Sequence, residues 1–151
     1  MIGTIERDRE FPGEHVFLGF DVNNTPNEHT NGVDVTPSSM RIIHSGMYYL
    51  YSSIKFTLRK QSSEPSSFST SVHLWRPGSP ADNGELLKST HTGGRQIQET
   101  VFTGGVFHLQ AGDLLQVCVS GRDIVNFKSD STYTGLILLA DPVAATSTVK
   151  K

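Results

Sequence analysis

Apolar and polar side chains alternate with a period of two along most of this chain. Because successive side chains of a β-strand point to opposite faces, the alternation predicts strands that bury one face. No segment keeps the apolar spacing of an amphipathic helix over three turns. We therefore predict an all-β protein, whose eight strands cover residues 15–20, 40–43, 47–58, 69–75, 86–90, 104–109, 114–120 and 132–139.

Turn-forming residues separate these predicted strands. Asn31-Gly32 and Thr92-Gly93-Gly94, for example, suit reversals between antiparallel strands. A single open sheet could not bury so many apolar faces, so the pattern predicts a sandwich of two antiparallel sheets. The chain length of 151 residues fits one domain. We assign that domain to residues 15–139, between flexible segments at 1–14 and 140–151.

Composition excludes several classes of protein. The chain has 13 Lys and Arg against 15 Asp and Glu, so no basic excess is available to neutralise a nucleic-acid backbone. A single cysteine, Cys118, excludes an internal disulfide and a thiolate zinc cluster, so a hydrophobic core must hold the fold. No apolar run is long enough to span a membrane. The chain is expected to be either cytosolic or a soluble region of a longer protein.

Two predicted strands are apolar on both faces. Residues 47–51 read Met-Tyr-Tyr-Leu-Tyr, and residues 135–139 read Gly-Leu-Ile-Leu-Leu. A strand with one face in water alternates, so each of these strands requires cover on its second face. That cover comes either from another copy of the protein or from a long loop of the same chain.

Three segments resemble the signatures of the tumour necrosis factor (TNF) superfamily. Residues 45–56 place an aromatic strand and Tyr-Ser after a glycine, and residues 103–113 hold Gly-Gly-Val-Phe and a Gly-Asp turn. Residues 124–139 are similar to the closing loop and last strand of the family. The resemblance implies a two-sheet jelly roll of the TNF and C1q-like type, assembled as a homotrimer.

The function implied by the resemblance is that of an extracellular cytokine domain. Such domains bind cysteine-rich receptors of the TNF-receptor superfamily in the grooves between subunits, and they signal by clustering those receptors. They are made as the outer part of type II membrane proteins and are often shed. The resemblance therefore implies no enzymatic activity, no cofactor, no small-molecule substrate and a membrane link only through a segment absent from this chain.

The resemblance also implies site residues. The aromatic cluster at the family's threefold axis falls on Tyr51, Phe102 and Tyr133, and Phe107 could belong either to the axis or to the core. The full predicted trimer interface is Met47, Tyr49, Tyr51, Phe102, Val106, Tyr133, Ile137 and Leu139. The alternative is that these side chains fill the interior of the sandwich. Glycines 104 and 105 are expected where a close backbone approach or a bulge leaves no room for a Cβ atom.

Receptor contacts are expected in the upper loops and on the grooves. The candidates are Arg59, Arg76, Arg95, Arg122, Asp123, Asn126 and Lys128. Asn23 begins a glycosylation sequon, although Pro26 follows it directly. With Cys118 alone, the chain lacks the upper-loop disulfide of several relatives, and this mid-strand cysteine is interpreted as an inert thiol without a metal.

Two other classes of function compete with the cytokine interpretation. A C1q-like trimeric recognition module shares the fold and the Gly-Leu-Ile-Leu-Leu strand, but the Tyr51-Ser52 pair favours the cytokine family. A jelly-roll enzyme should show clustered metal-binding histidines, and the six histidines show no such spacing. A serine hydrolase motif of the Gly-x-Ser-x-Gly kind does not occur.

Overall fold

The computed structural model describes residues 2–6, 15–21, 32–57, 66–93, 98–120, 125–128 and 131–140. These residues form eleven strands and one short 3-10 helix. The strands are β1 (Ile2–Glu6), β2 (His15–Asp21), β3 (Val33–Val35), β4 (Met40–Ile42), β5 (Gly46–Thr57), β6 (Ser66–Trp75), β7 (Gly84–Gly93), β8 (Gln98–Leu109), β9 (Leu114–Ser120), β10 (Val125–Asn126) and β11 (Tyr133–Ala140). The 3-10 helix, η1, is Pro80–Asp82. None of the described residues forms a helix that is long and apolar enough to cross a membrane.

Each of the eight predicted strands corresponds to a strand of the structure. Three strands were missed: β1, β3 and β10. The last two have only three and two residues, too few to show a period. Strand β1 lies within residues 1–14, where no strand was predicted, and its pairing with β11 and β2 is a long-range contact that no local pattern encodes.

Two predicted strands begin three or more residues earlier than expected. Strand β8 starts at Gln98 instead of residue 104, because it pairs with β5 along the full twelve residues of that strand. Strand β6 starts at Ser66, inside a serine-rich segment that resembles a loop by composition. Pairing with β7 and β9 overrides that weak local preference.

The strands form two antiparallel sheets that share β2. Sheet A contains β8, β5, β11, β1 and the second half of β2, with β10 beside the end of β5. Sheet B contains β7, β6, β9, the first half of β2, β4 and β3. The switch of β2 between sheets, near Leu18 and Gly19, is what joins the two layers of the sandwich.

The core lies between the inner faces of the two sheets. Sheet A contributes Tyr48, Leu50, Ile54 and Phe56 from β5, all at most 1% exposed. Phe20, from the second half of β2, also belongs to sheet A. Sheet B contributes side chains of β6, β9, the first half of β2 and β4: Phe68, Val72, Leu115, Val117, Val119, Leu18, Met40 and Ile42. The inward-facing residues of β5 thus fill their share of the core, and its outward-facing residues are not needed there.

Candidate functional site

The candidate site is the outer face of sheet A, which the chain's described residues leave uncovered. Strand β5 lies between β8 on one side and β11 on the other. Cross-strand partners point to the same side of a sheet, so the register identifies the members of this face. On β5, β8 and β11 they are Met47, Tyr49, Tyr51, Ser53, Lys55, Thr57, Gln98, Thr100, Phe102, Gly104, Val106, His108, Tyr133, Gly135 and Ile137.

Apolar side chains dominate the middle and one end of this outer face. Phe102 is 55% exposed, Val106 52% and Ile137 49%, whereas Met47 is half-buried by its neighbours. Single exposed apolar residues are ordinary, but a contiguous patch of large ones marks an interaction surface. The surplus of apolar residues in β5 is therefore divided between the core and this patch.

Aromatic rings pack against one another at the centre of the outer face. The Tyr51 ring centroid lies 5.7 Å from that of Tyr49 and 6.5 Å from that of Phe102, both in stacked arrangements. Tyr133 approaches Tyr51 edge-on at 6.2 Å. The pKa of Tyr51 is raised, first by burial and then by the phenols of Tyr133 and Tyr49. The cluster inferred from the resemblance is thus brought together, with Tyr51 at its centre.

Gly104 lacks room for a Cβ atom, but the physical reason differs from the one expected. The pairing of β5 with β8 runs without a register shift, so no bulge occurs there. Instead, a Cβ atom built on Gly104 would lie 2.5 Å from the Tyr49 hydroxyl oxygen. The close approach is made by a phenol and not by a backbone. Gly105 faces inward, where a Cβ atom would lie 3.0 Å from the Phe107 ring.

Phe107 belongs to the core and not to the outer face. Its side chain is partly buried and packs against the core cluster. The register agrees, because its cross-strand partner is the buried Tyr48. This settles the alternative that the sequence left open.

The end of β11 carries further apolar surface. A register shift after Leu138 leaves Leu139 without a cross-strand partner, and Ala140 pairs with Met47. Leu138 is 41% exposed and Leu139 54%. A bulge of this kind breaks the alternation, and it explains how three consecutive apolar residues of β11 reach the surface.

The opposite end of the outer face is polar. Lys55, Gln98 and Thr100 lie there, and Ser53 donates a hydrogen bond from its hydroxyl to the Ser131 carbonyl oxygen at 3.2 Å. At the apolar end, His108 pairs with Met47. Sequence reasoning missed both Lys55 and His108. The signal is the alternation itself, which puts Lys55 on the same face of β5 as Tyr51 and His108 on the same face of β8 as Val106.

A hydrogen-bonded corner after β10 lies beside this polar end. Asn126 is the cross-strand partner of Lys55. The buried Thr132 hydroxyl donates to the Asn126 carbonyl oxygen and accepts from the Lys55 backbone N–H at 3.1 Å. The Lys128 backbone N–H donates to the Asn126 side-chain oxygen at 3.1 Å, and the Lys128 side chain is exposed. The corner is fixed to β5 while its lysine faces water.

Arg76, another predicted receptor contact, takes part in an internal ion pair. Its Nε and one terminal nitrogen each lie 2.9 Å from an oxygen of Asp113, a residue that is 1% exposed. Hydrogen bonding to Asp113 is the main reason that the pKa of Arg76 is raised. The other receptor candidates, Arg59, Arg95, Arg122 and Asp123, lie outside the described residues, as does Asn23.

Two histidines are held by hydrogen bonds away from the outer face. His91 bonds Ser89 through Nε2 at 2.8 Å and Glu99 through Nδ1 at 3.0 Å, and its ring stacks on Phe68. His73 lies 3.1 Å from the Ser71 hydroxyl. Among the described residues, no group of three or more His, Cys, Asp or Glu side chains is placed to hold a metal ion.

Cys118 is buried in the middle of β9. Its side chain is 3% exposed, and burial raises the pKa of the thiol to about 11. A thiol in this state is a poor nucleophile and a poor metal ligand, because both roles require the thiolate.

The fold and the uncovered face together define a jelly-roll sandwich protein with a large apolar surface on one sheet. The chain belongs to the TNF (tumour necrosis factor) family, whose model matches residues 23–139. A solved structure of murine APRIL superposes with a TM-score of 0.72 over 91% of this chain and 96% of that one. The identity is 16%, so this likeness concerns the fold.

Curated relatives support the same family. The CD40 ligand of Gallus gallus is 30% identical over 104 residues, which are 66% of this chain and 37% of that protein. The tumor necrosis factor ligand superfamily member 6 of Homo sapiens is 31% identical over 113 residues, 72% of this chain and 39% of that protein. The matched part of this chain thus spans less than two fifths of the length of these relatives.

Proposed function

We propose that this chain is the receptor-binding domain of an extracellular TNF-family cytokine that acts as a homotrimer. The observation that carries the proposal is the outer face of sheet A, which is apolar at its centre and uncovered by the described residues. Family membership supplies the type of assembly, and two of the matched relatives are named as ligands. Its action is binding without catalysis, and its location is the cell surface or, after shedding, the extracellular fluid.

The trimer interface is proposed to be the eight residues inferred from the sequence, centred on Tyr51. Fully burying a large apolar side chain contributes roughly 1.5–3 kcal/mol, and a residue that is half-exposed in the single chain has about half of that left to gain. Phe102, Val106 and Ile137 are in this position. A closed assembly leaves no such patch in water, and the number of three subunits is taken from the family.

A charge placed on this face tests the trimer. Phe102→Arg puts a cation where the single chain already exposes the side chain, so the subunit should fold and fail to assemble. The control is Trp75→Arg, since Trp75 is a 42% exposed aromatic on sheet B. Light scattering at micromolar concentration should show a trimeric wild type and control and a monomeric Phe102→Arg variant. A monomeric wild type would overturn the assembly, and a trimeric Phe102→Arg variant would overturn the assignment of the face.

Receptor binding is proposed at the corner after β10, with Asn126 and Lys128 as described contacts. This corner lies at the polar end of the outer face, beside Lys55, and a groove between assembled subunits would border it. Cysteine-rich ectodomains of TNF-receptor-family proteins are the proposed partners. The candidates outside the described residues, Arg59, Arg95, Arg122 and Asp123, remain part of the proposal, whereas the internal ion pair of Arg76 makes it the weakest member.

A charge reversal tests this contact without disturbing the trimer. The probes are the CD40 ectodomain and a panel of other TNF-receptor-family ectodomains, each measured against immobilised wild-type trimer. For the ectodomain that binds, Lys128→Glu should reduce the association rate and raise the Kd at least about tenfold, because charges at an interface steer encounter. Lys88→Glu is the control, since Lys88 is exposed on β7 of sheet B. Equal affinity of the two variants would remove Lys128 from the contact.

A further inference from the structure

His108 lies at the apolar end of the outer face of sheet A. It is the cross-strand partner of Met47 and lies two residues from Val106 on the same strand face. All three side chains point away from the core, and His108 is exposed in the single chain. A partner subunit that covers Met47 and Val106 would therefore also cover the imidazole beside them.

No carboxylate faces this imidazole from β8, β5 or β11, the strands nearest to it, whereas the register places Glu6 of β1 and Asp21 of β2 on the same face, three and four strands away. Strand β5 presents Lys55 as its one charged group and Tyr49 and Tyr51 as titratable groups, and β11 presents Tyr133. Lys55 is eight residues from Met47 along β5, or roughly 27 Å at the rise of a strand. An imidazolium formed here would meet no compensating charge on β8, β5 or β11, the three strands nearest to it.

The carboxylates and histidines of the neighbouring elements are engaged elsewhere. On β8 itself, Glu99 bonds His91 of β7 on the inner side. In the turn that follows β8, Asp113 is buried against Arg76. On β7, Glu85 lies 3.6 Å from Lys88 and from His73, on sheet B. His44, before β5, is exposed at the end of the sandwich.

We propose that His108 makes assembly through the outer face sensitive to pH, so that protonation of this residue opposes trimer formation. The inference rests on the proposed trimer and names its regulation. The physical reason is desolvation: burying a cation in an apolar interface without a partner costs far more than burying a neutral imidazole. Because each subunit contributes one such residue, three protons oppose each assembly event.

The size of the effect follows from proton linkage. Histidine in water is half-protonated near pH ~6.5, so a trimer that excludes all three protons has a dissociation constant about 1000-fold larger at pH 5.5 than at pH 7.5. The concentration at which half of the subunits are assembled varies as the square root of that constant for a monomer–trimer equilibrium. The expected shift of this midpoint is therefore roughly 30-fold over two pH units.

The experiment measures the assembly midpoint by mass photometry or sedimentation at pH 7.5 and pH 5.5. The variants are His108→Gln, which keeps a polar side chain without titrating, and His44→Gln, which removes an exposed histidine outside the outer face. We expect a midpoint shift of roughly 30-fold in wild type and in His44→Gln, and little shift in His108→Gln. Circular dichroism at both pH values confirms that each subunit stays folded.

The outcomes separate the inference from the function on which it rests. A wild type that is monomeric at pH 7.5 overturns the proposed trimer and the inference together. A wild-type trimer with the same midpoint at both pH values overturns the inference alone. A His108→Gln variant that keeps the full shift also overturns it, because another group would then carry the protons.

Discussion

Arg76 and Asp113 form a two-point ion pair that joins the loop after β6 to the turn before β9. Both N–O distances are 2.9 Å, and Asp113 also accepts a hydrogen bond from the Gln110 backbone N–H at 2.8 Å. Asp113 is nearly inaccessible, while Arg76 is 17% exposed. By contrast, the ion pair of Arg41 with Asp34 has a similar N–O distance of 3.1 Å, but both of its side chains are about half-exposed.

These two ion pairs predict different losses of stability when the aspartate is replaced by asparagine. Asp113→Asn removes the buried carboxylate and leaves the Arg76 cation only the more exposed Asp82, at 3.6 Å, which should reduce the free energy of unfolding by about 2–3 kcal/mol. Asp34→Asn should cost less than about 1 kcal/mol, because solvent screens the exposed pair. Urea denaturation of both variants at one protein concentration measures the difference. Equal costs would mean that the buried pair does not stabilise the fold more than the exposed one.

The Gly104 position predicts a defect in assembly. Gly104→Ala places a methyl group 2.5 Å from the Tyr49 hydroxyl oxygen, so the phenol must move within the outer face. Overpacking of this kind costs typically 1–3 kcal/mol, which corresponds to a change of roughly 5- to 150-fold in an equilibrium constant. The trimer midpoint should therefore rise.

Gly84→Ala is the matched control for that variant. Nothing lies within 4 Å of a Cβ atom built on Gly84, which is exposed on β7. Its assembly midpoint should equal that of wild type. If both glycine variants assemble like wild type, the contact of Tyr49 with Gly104 has no part in the interface.

The tyrosines predict a loss of stability at alkaline pH. Burial raises the pKa of Tyr48, and burial together with neighbouring phenols raises that of Tyr51. A folded-state pKa above the unfolded value of about 10 means that the native state holds its proton more firmly. The stabilisation is complete below pH ~10 and is lost as the pH rises through the folded-state pKa.

Ultraviolet titration of the phenols measures this effect. In the native protein part of the absorbance change should occur at higher pH than in the urea-unfolded chain. Tyr48→Phe should remove one late-titrating group. It should also destabilise the fold by about 1–2 kcal/mol, since the buried Tyr48 hydroxyl donates to the His44 carbonyl oxygen at 2.6 Å. Coincident native and unfolded titrations would contradict the raised values.

The buried thiol predicts slow chemical modification. With a pKa of about 11, Cys118 has little thiolate at pH 8 compared with an exposed cysteine. Its reaction with an aromatic disulfide reagent should be at least about 100-fold slower in the native protein than in denaturant. Fast native labelling would show that the β9 position opens readily to solvent.

Local patterns in the sequence determined the fold class and the existence of the site. The alternation of residues 114–120 and the two-sided apolar run at 47–51 are properties of single strands, so they can be read without knowing any partner. They predicted the sandwich and the extra face, and the family signatures agreed. Tyr48, Leu50, Ile54 and Phe56 alternate with the outward-facing residues of the same strand, and the structure buries all four in the core.

Pairings between distant segments were decided only by the tertiary structure. The register of β5 with β8 brings Gly104 beneath Tyr49 and His108 beside Met47, and the fold brings Asp113 to Arg76 across 37 positions of sequence. A one-residue change in the register of β8 would send His108 to the other face and move Gly104 away from Tyr49. The sequence thus showed that a second face needs a partner, whereas the register determined which residues would meet it.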